Sequence, residues 1–204
     1  GEQNWTVRAA MRTRSFWGLA WVFSLTSIGM FSITVQTVVY LIERGFPPLT
    51  AASAFGFAAM LSVFGIVGTG AIADRFGPRR TVSVTFAGSI SGVVILFLMS
   101  WYPEHSLLVA YVLVFGLCQG ARGPIISSMS ARLFPGSHTA SIYGILYACN
   151  ALGAGTGALM AGLLHDFSSS YRPGFVMSVC ALLLAVLPFW RVPELRDFRL
   201  PQLR

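Results

Sequence analysis

Six long stretches without a charged side chain dominate this sequence of 204 residues. They cover residues 16–42, 49–73, 81–103, 106–121, 139–164 and 173–190, and the fourth continues past Arg122 to residue 131. Each reaches the roughly 18 residues a helix needs to cross about 30 Å of hydrocarbon, the fourth only if Arg122 is tolerated inside it. A spanning barrel shows ~10-residue segments alternating apolar and polar, and these stretches do not alternate. Charged residues are 10 % of the chain, against about 25 % in soluble domains, too few to clothe a water-soluble globule. An ordinary soluble enzyme, a disordered chain and a secreted disulfide scaffold are thereby excluded. The pattern predicts an all-α membrane protein with six transmembrane helices and both termini on one side of the lipid bilayer.

Arginine placement sets the orientation. The formal net charge is +7, but the cations gather at the ends of apolar runs, which is a topology signal rather than a nucleic-acid one. Arg8, Arg12, Arg14, Arg75, Arg79, Arg80, Arg132, Arg191, Arg196, Arg199 and Arg204 fall on one side, and Arg44 and Arg172 on the other. The richer side is expected to be cytoplasmic. The Asn4-Trp5-Thr6 sequon then faces the cytoplasm and is discounted as a glycosylation site. Trp17, Trp21, Trp101, Tyr102, Tyr171 and Trp190 lie near run ends, where interfacial aromatics belong. Residue 1 is Gly, so the chain is expected to be a piece of a longer one.

Metal, nucleotide and nucleophilic chemistry find no pattern. Cys118, Cys149 and Cys180 sit singly in apolar runs. His105, His138 and His165 lie at run ends without a partner at catalytic spacing, and no phosphate-binding glycine loop occurs. No catalytic residue, metal or cofactor is expected.

An internal repeat organises the chain. At a shift of 88, Arg44, Phe46, Pro47, Ala52, Ser53, Gly56 and Gly65 fall on Arg132, Phe134, Pro135, Ala140, Ser141, Gly144 and Gly153. The unit holds three spans, an odd number, so the second copy must enter the membrane upside down. Inverted three-plus-three repeats are a transporter architecture.

The loop between the second and third runs carries the sharpest motif. In Gly70-Ala71-Ile72-Ala73-Asp74-Arg75-Phe76-Gly77-Pro78-Arg79-Arg80, Gly70 permits close helix approach and Asp74 sits at a helix end. Gly77 and Pro78 force a tight turn, and Arg75, Arg79 and Arg80 hold the loop in the cytoplasm or pair with lipid phosphate. This string resembles the signature loop of the major facilitator superfamily. Shorter strings resemble the monocarboxylate-transporter and oxalate–formate-antiporter branch: Tyr40 to Phe46, Gly120 to Pro124, and Tyr171 to Phe175. The resemblance implies half of a major facilitator fold, the C-terminal six helices, with the N-terminal six-helix half missing. It divides the chain into a cytoplasmic linker end at 1–15, a first repeat at 16–103, an inverted repeat at 104–191 and a cytoplasmic tail at 192–204. It also makes the 70–80 loop a gating element that does not touch substrate.

Arg122 is the one ionisable residue deep in a run. A charge at mid-span costs about 2.5–3.5 kcal/mol on the insertion scale, so it should face a polar cavity or a partner. Gly120, Gly123 and Pro124 invite a break in the helix there. A guanidinium at such a break can grip a carboxylate with two parallel hydrogen bonds. The alternative is that Arg122 snorkels to headgroups or pairs with a loop acid. Gln119 shares its face; Gln36 and Tyr40 form a second stripe, and Tyr143, Tyr147 and Asn150 a third. The three stripes are expected to line one cavity, or else to bond between helices. Small residues crowd the fifth run, notably Gly153 and Gly157.

The sequence thus points to a secondary active transporter, symporter or antiporter, moving a small organic anion such as a monocarboxylate by alternating access in a bacterial inner membrane. A six-span scaffold, an intramembrane enzyme and a self-dimerising half-transporter are the competing readings. An intramembrane hydrolase would need a base beside Ser127 or Ser128, and none is visible.

Overall fold

The computed structural model describes residues 5–196, except the side chains of Asp74, Pro78 and Arg196. Those residues form helices and no strand. A short α1 (Val7–Ala10) leads in. The first span is α2 (Arg14–Thr34) continued by α3 (Thr37–Glu43). The second is α4 (Pro48–Phe76) and the third α5 (Pro78–Leu98). The fourth is α6 (His105–Gln119) continued by α7 (Arg122–Leu133), and the fifth is α8 (Thr139–Ser168). The sixth joins α9 (Arg172–Val186) to α10 (Pro188–Arg191), and α11 (Pro193–Arg196) ends the described chain. Six spans are long and apolar enough to cross a membrane, as the uncharged runs predict.

Local chemistry sets the boundaries. Thr13 accepts a hydrogen bond from the Phe16 amide at 3.2 Å and caps α2. Proline opens α4 and α5, where its missing N–H is harmless. Between them Gly77 alone makes the turn at φ +87°, a conformation that a side chain resists.

Three of the described spans are interrupted: the first and the fourth, which open the two repeats, and the sixth at Leu187, just before Pro188. The break in the fourth, at Gly120 and Ala121, follows from Pro124, which offers no N–H to the Gly120 carbonyl four residues back. The break in the first, at Val35 and Gln36, was not legible as a proline or glycine. Here Thr34 and Thr37 donate to the Met30 and Ile33 carbonyls, each at 2.8 Å, and such back-bonding bends helices.

Packing has the symmetry of the repeat. The first span lies chiefly on the fifth and sixth, the fourth lies chiefly on the second and third, and the third and sixth close the middle. Exchanging one with four, two with five and three with six reproduces the arrangement, an all-α inverted three-plus-three fold. The repeat mates Gly65 and Gly153 occupy matching crossings. Gly65 of α4 abuts the Leu117 backbone of α6, and Gly153 of α8 abuts the Ser24 backbone of α2. A Cβ at either would overlap a carbonyl oxygen. Gly157 meets the Ile28 backbone in the same way.

The second and fifth spans are left mostly uncovered. Only 11 % and 22 % of their apolar windows are buried, against 39 % to 44 % in the other four.

Because backbone atoms block any side chain at these crossings, Gly65→Val and Gly153→Val are each expected to cost about 1–3 kcal/mol or more. Ala87→Val, on an uncovered face of α5, should leave stability unchanged. Thermal unfolding of the purified protein in detergent compares the three.

Candidate functional site

Arg122 is 2 % exposed, at the first turn of α7. Its guanidinium points into the seam between the first, third and fourth spans. Nη1 donates to the Thr85 carbonyl at 3.3 Å and to Ser89 Oγ at 3.0 Å, and Nη2 lies 3.1 Å from Met30 Sδ. The group stacks over Phe86, 4.6 Å from the ring centre. Nε is buried and has no partner. Among the described side chains no carboxylate pairs with it. Among the described residues, a full cation therefore sits at the helix break held by neutral groups.

The three polar stripes do not converge on this guanidinium. Gln119 turns to α4 and donates to the Ala58 carbonyl at 3.0 Å. Tyr40 is fully buried; its hydroxyl donates to the Leu96 carbonyl at 2.7 Å, beside Ser100 Oγ at 3.1 Å. Gln36 lies near Gly174 at the start of α9. Asn150 pairs with Ser27 across the first and fifth spans. Only Tyr143 and Tyr147 stay together, ring centres 6.1 Å apart, with Tyr147 55 % exposed on the open face. Periodicity placed each residue on a helix face, but which neighbour that face meets depends on tertiary packing.

A cleft of about 610 Å³ does open beside Tyr143, between α7 and α8. Ser127, Ser128 and Thr139 line it. Ser127 and Ser128 donate to the Pro124 and Ile125 carbonyls, each at 2.9 Å. The partners of Arg122 were also missed from sequence, although Thr85 and Ser89, four apart on α5, form a polar stripe that could have flagged a buried group.

In the 70–80 loop, Arg79 stacks on Trp190, 3.7 Å from the ring centre, and Arg75 lies over Phe76 at 5.6 Å. The Asp74 side chain lies outside the described residues. A Cβ at Gly70 would meet nothing in this chain, so the expected close approach there does not occur within it.

The opposite end carries a second polar cluster. Tyr171 is buried rather than interfacial, and its hydroxyl donates to Glu43 Oε1 at 2.8 Å. Arg44 donates to the Ser100 carbonyl at 3.3 Å, and His165 lies 4.3 Å from the Tyr171 ring centre. The ends of the first, third, fifth and sixth spans are thus tied together.

With this geometry in hand, comparison with known proteins decides the family. The Major Facilitator Superfamily model matches residues 2–115 and 69–202. This chain belongs to the major facilitator superfamily. It is 27 % identical to the inner membrane transport protein YnfM of Escherichia coli over 79 % of this chain and 38 % of that protein. It is 28 % identical to monocarboxylate transporter 13 of Bos taurus over 78 % of this chain and 37 % of that protein. A triacylglyceride transporter of Mycobacterium tuberculosis is 28 % identical over 56 % of this chain and 23 % of that protein. The chain spans well under half the length of these relatives. As a superfamily member with six apolar helices, it is an integral membrane protein of a transporter family.

Burial first, then the hydrogen bond to Glu43 and its negative charge, push the Tyr171 phenol from 10 up to about 12, with Arg44 opposing. A raised pKa means the folded state holds the proton longer, so this contribution is whole below pH 10 and is lost as pH climbs through 12. Tyr171→Phe is expected to flatten the fall in unfolding temperature over that window, measured by a pH series of melting curves.

Proposed function

We propose that the chain is the C-terminal half of a secondary transporter that moves a small organic anion by alternating access. The observation that carries the anion is the Arg122 guanidinium, buried at a helix break without an acid. A cation held by a carbonyl, a hydroxyl, a thioether and the face of one phenyl ring is under-compensated in a low-dielectric site. A carboxylate arriving at the break would offer the bidentate, charged acceptor these neutral groups do not. Monocarboxylate transporter 13 among the relatives agrees with this class.

Translocation rather than catalysis fits the rest. The spans that begin the two repeats are both interrupted, and broken helices are where transporters of this architecture build mid-membrane sites. Tyr143 and Tyr147 front the solute path, and the cleft beside Tyr143 forms its vestibule. Gln36, Tyr40, Gln119 and Asn150 set the helices around the site. The 70–80 loop gates the arginine-rich end, which faces the cytoplasm of a bacterial cell along with both termini. The uncovered faces of α4 and α8 receive the N-terminal half, because the relatives hold more than twice this length and those two spans are the least buried. The segments 1–15, 16–103, 104–191 and 192–204 then act as linker end, first repeat, inverted repeat and tail.

A second reading follows from the seat itself: Arg122 could serve as a pin between three spans. The two separate cleanly in the full-length protein reconstituted in liposomes. Arg122→Gln is expected to lower uptake of small carboxylates at least about tenfold, one charged contact being worth 1.5–3 kcal/mol, with the unfolding temperature unchanged. Normal uptake would remove Arg122 from the anion site. Lost uptake together with a large drop in unfolding temperature would make it a pin.

A further inference from the structure

Two neighbouring clefts lie at the start of the third span, away from the proposed solute site. The first, of about 540 Å³, is lined by Arg79, Arg80, Ser83, Val84 and Trp190. The second, of about 310 Å³, lies between α4 and α5 and is almost wholly apolar, with Ile72, Phe76 and Val84 in its walls and Arg80 at its mouth. Arg80 and Val84 border both, so the two lie side by side on α5.

Their chemistry runs in one direction. Arg79 is held in place by Trp190 rather than trailing in solvent, since its guanidinium stacks 3.7 Å from the ring centre. Tryptophan at a span end marks the headgroup level of a bilayer. From Pro78 to Thr85, a wall residue of the apolar groove, α5 descends about 10 Å into the hydrocarbon. A charged mouth at headgroup depth therefore opens into an oily groove at acyl depth.

We propose that these adjoining clefts form a specific seat for an anionic phospholipid, its phosphate between Arg79 and Arg80 and one acyl chain along Ile72, Phe76 and Val84. Guanidinium groups match phosphate oxygens in pairs, which selects the anion. The groove selects a lipid over free phosphate, because only a lipid fills apolar space lying within the bilayer. The seat is built from the third span, the near wall of α4 and the end of the sixth span, so it holds that end of the helices in register. It rests on the chain being an integral membrane protein and is independent of which solute is carried.

Native mass spectrometry of the full-length polypeptide that carries this chain, in detergent with added phosphatidylglycerol or phosphatidylcholine, tests the seat. Phosphatidylglycerol is expected to be retained and phosphatidylcholine shed. The double variant Arg79→Gln/Arg80→Gln should weaken retention roughly thirtyfold, as two cationic contacts predict. Arg12→Gln/Arg14→Gln removes the same charge from the same end and should change nothing. Val84→Trp fills the groove without touching charge and should also release the lipid, which keeps the test decisive if the double arginine variant does not fold. Equal retention of both lipids, indifference to both seat variants, or displacement by inorganic phosphate at matched concentration would overturn the proposal. Uptake of carboxylate in phosphatidylcholine liposomes reports on transport separately, so either idea can fail alone.

Discussion

Hydrocarbon accepts no hydrogen bond, and the whole architecture answers to that constraint. Each backbone N–H and C=O in the membrane must find its partner within the protein, which leaves helices as the form these runs can take. Every departure from regular helix is then matched locally. Where the first span breaks, threonine hydroxyls occupy the carbonyls of the preceding turn. Where the fourth breaks, proline has removed a donor, and the nearby glycine tolerates the altered path. One break thus falls in the first span of each repeat, and a third falls at Leu187, late in the sixth span.

Close backbone crossings turn six helices into one body. Between helices in lipid there is little hydrophobic drive, so contact area and close approach decide which pairs hold. Gly65 and Gly153 provide that approach at symmetry-related places, and Gly157 extends the second crossing by a turn. These crossings also fix what remains outside. With the first and fourth spans drawn inward, α4 and α8 turn broad apolar faces outward, and the cleft at Tyr143 opens along one of them.

Arg122 shows how far residue-by-residue reading reaches. Its cost in a membrane, its seat at a helix break and the absence of an acid nearby in sequence were all legible, because they depend on composition and on proline and glycine chemistry. Its partners were not. Met30, Thr85 and Ser89 come from two other spans and meet only after the bundle closes. The same holds for Asn150 with Ser27 and for Tyr171 with Glu43. Tyr171 reads as an interfacial aromatic by position, yet the approach of the fifth span and the end of the first buries it.

By itself the sequence determined the number of spans, the inverted pairing of the two triplets and the turn at Gly77, since each follows from local hydropathy, parity or a single backbone conformation, and the string from Gly70 to Arg80 pointed to the family. Tertiary structure alone decided which faces of those helices meet. Helical periodicity assigns a residue to a face, but the rotation of one cylinder against another is chosen by packing summed over all of them. That is why periodicity could not foretell that Tyr40 bonds to the Leu96 carbonyl and Gln119 to the Ala58 carbonyl.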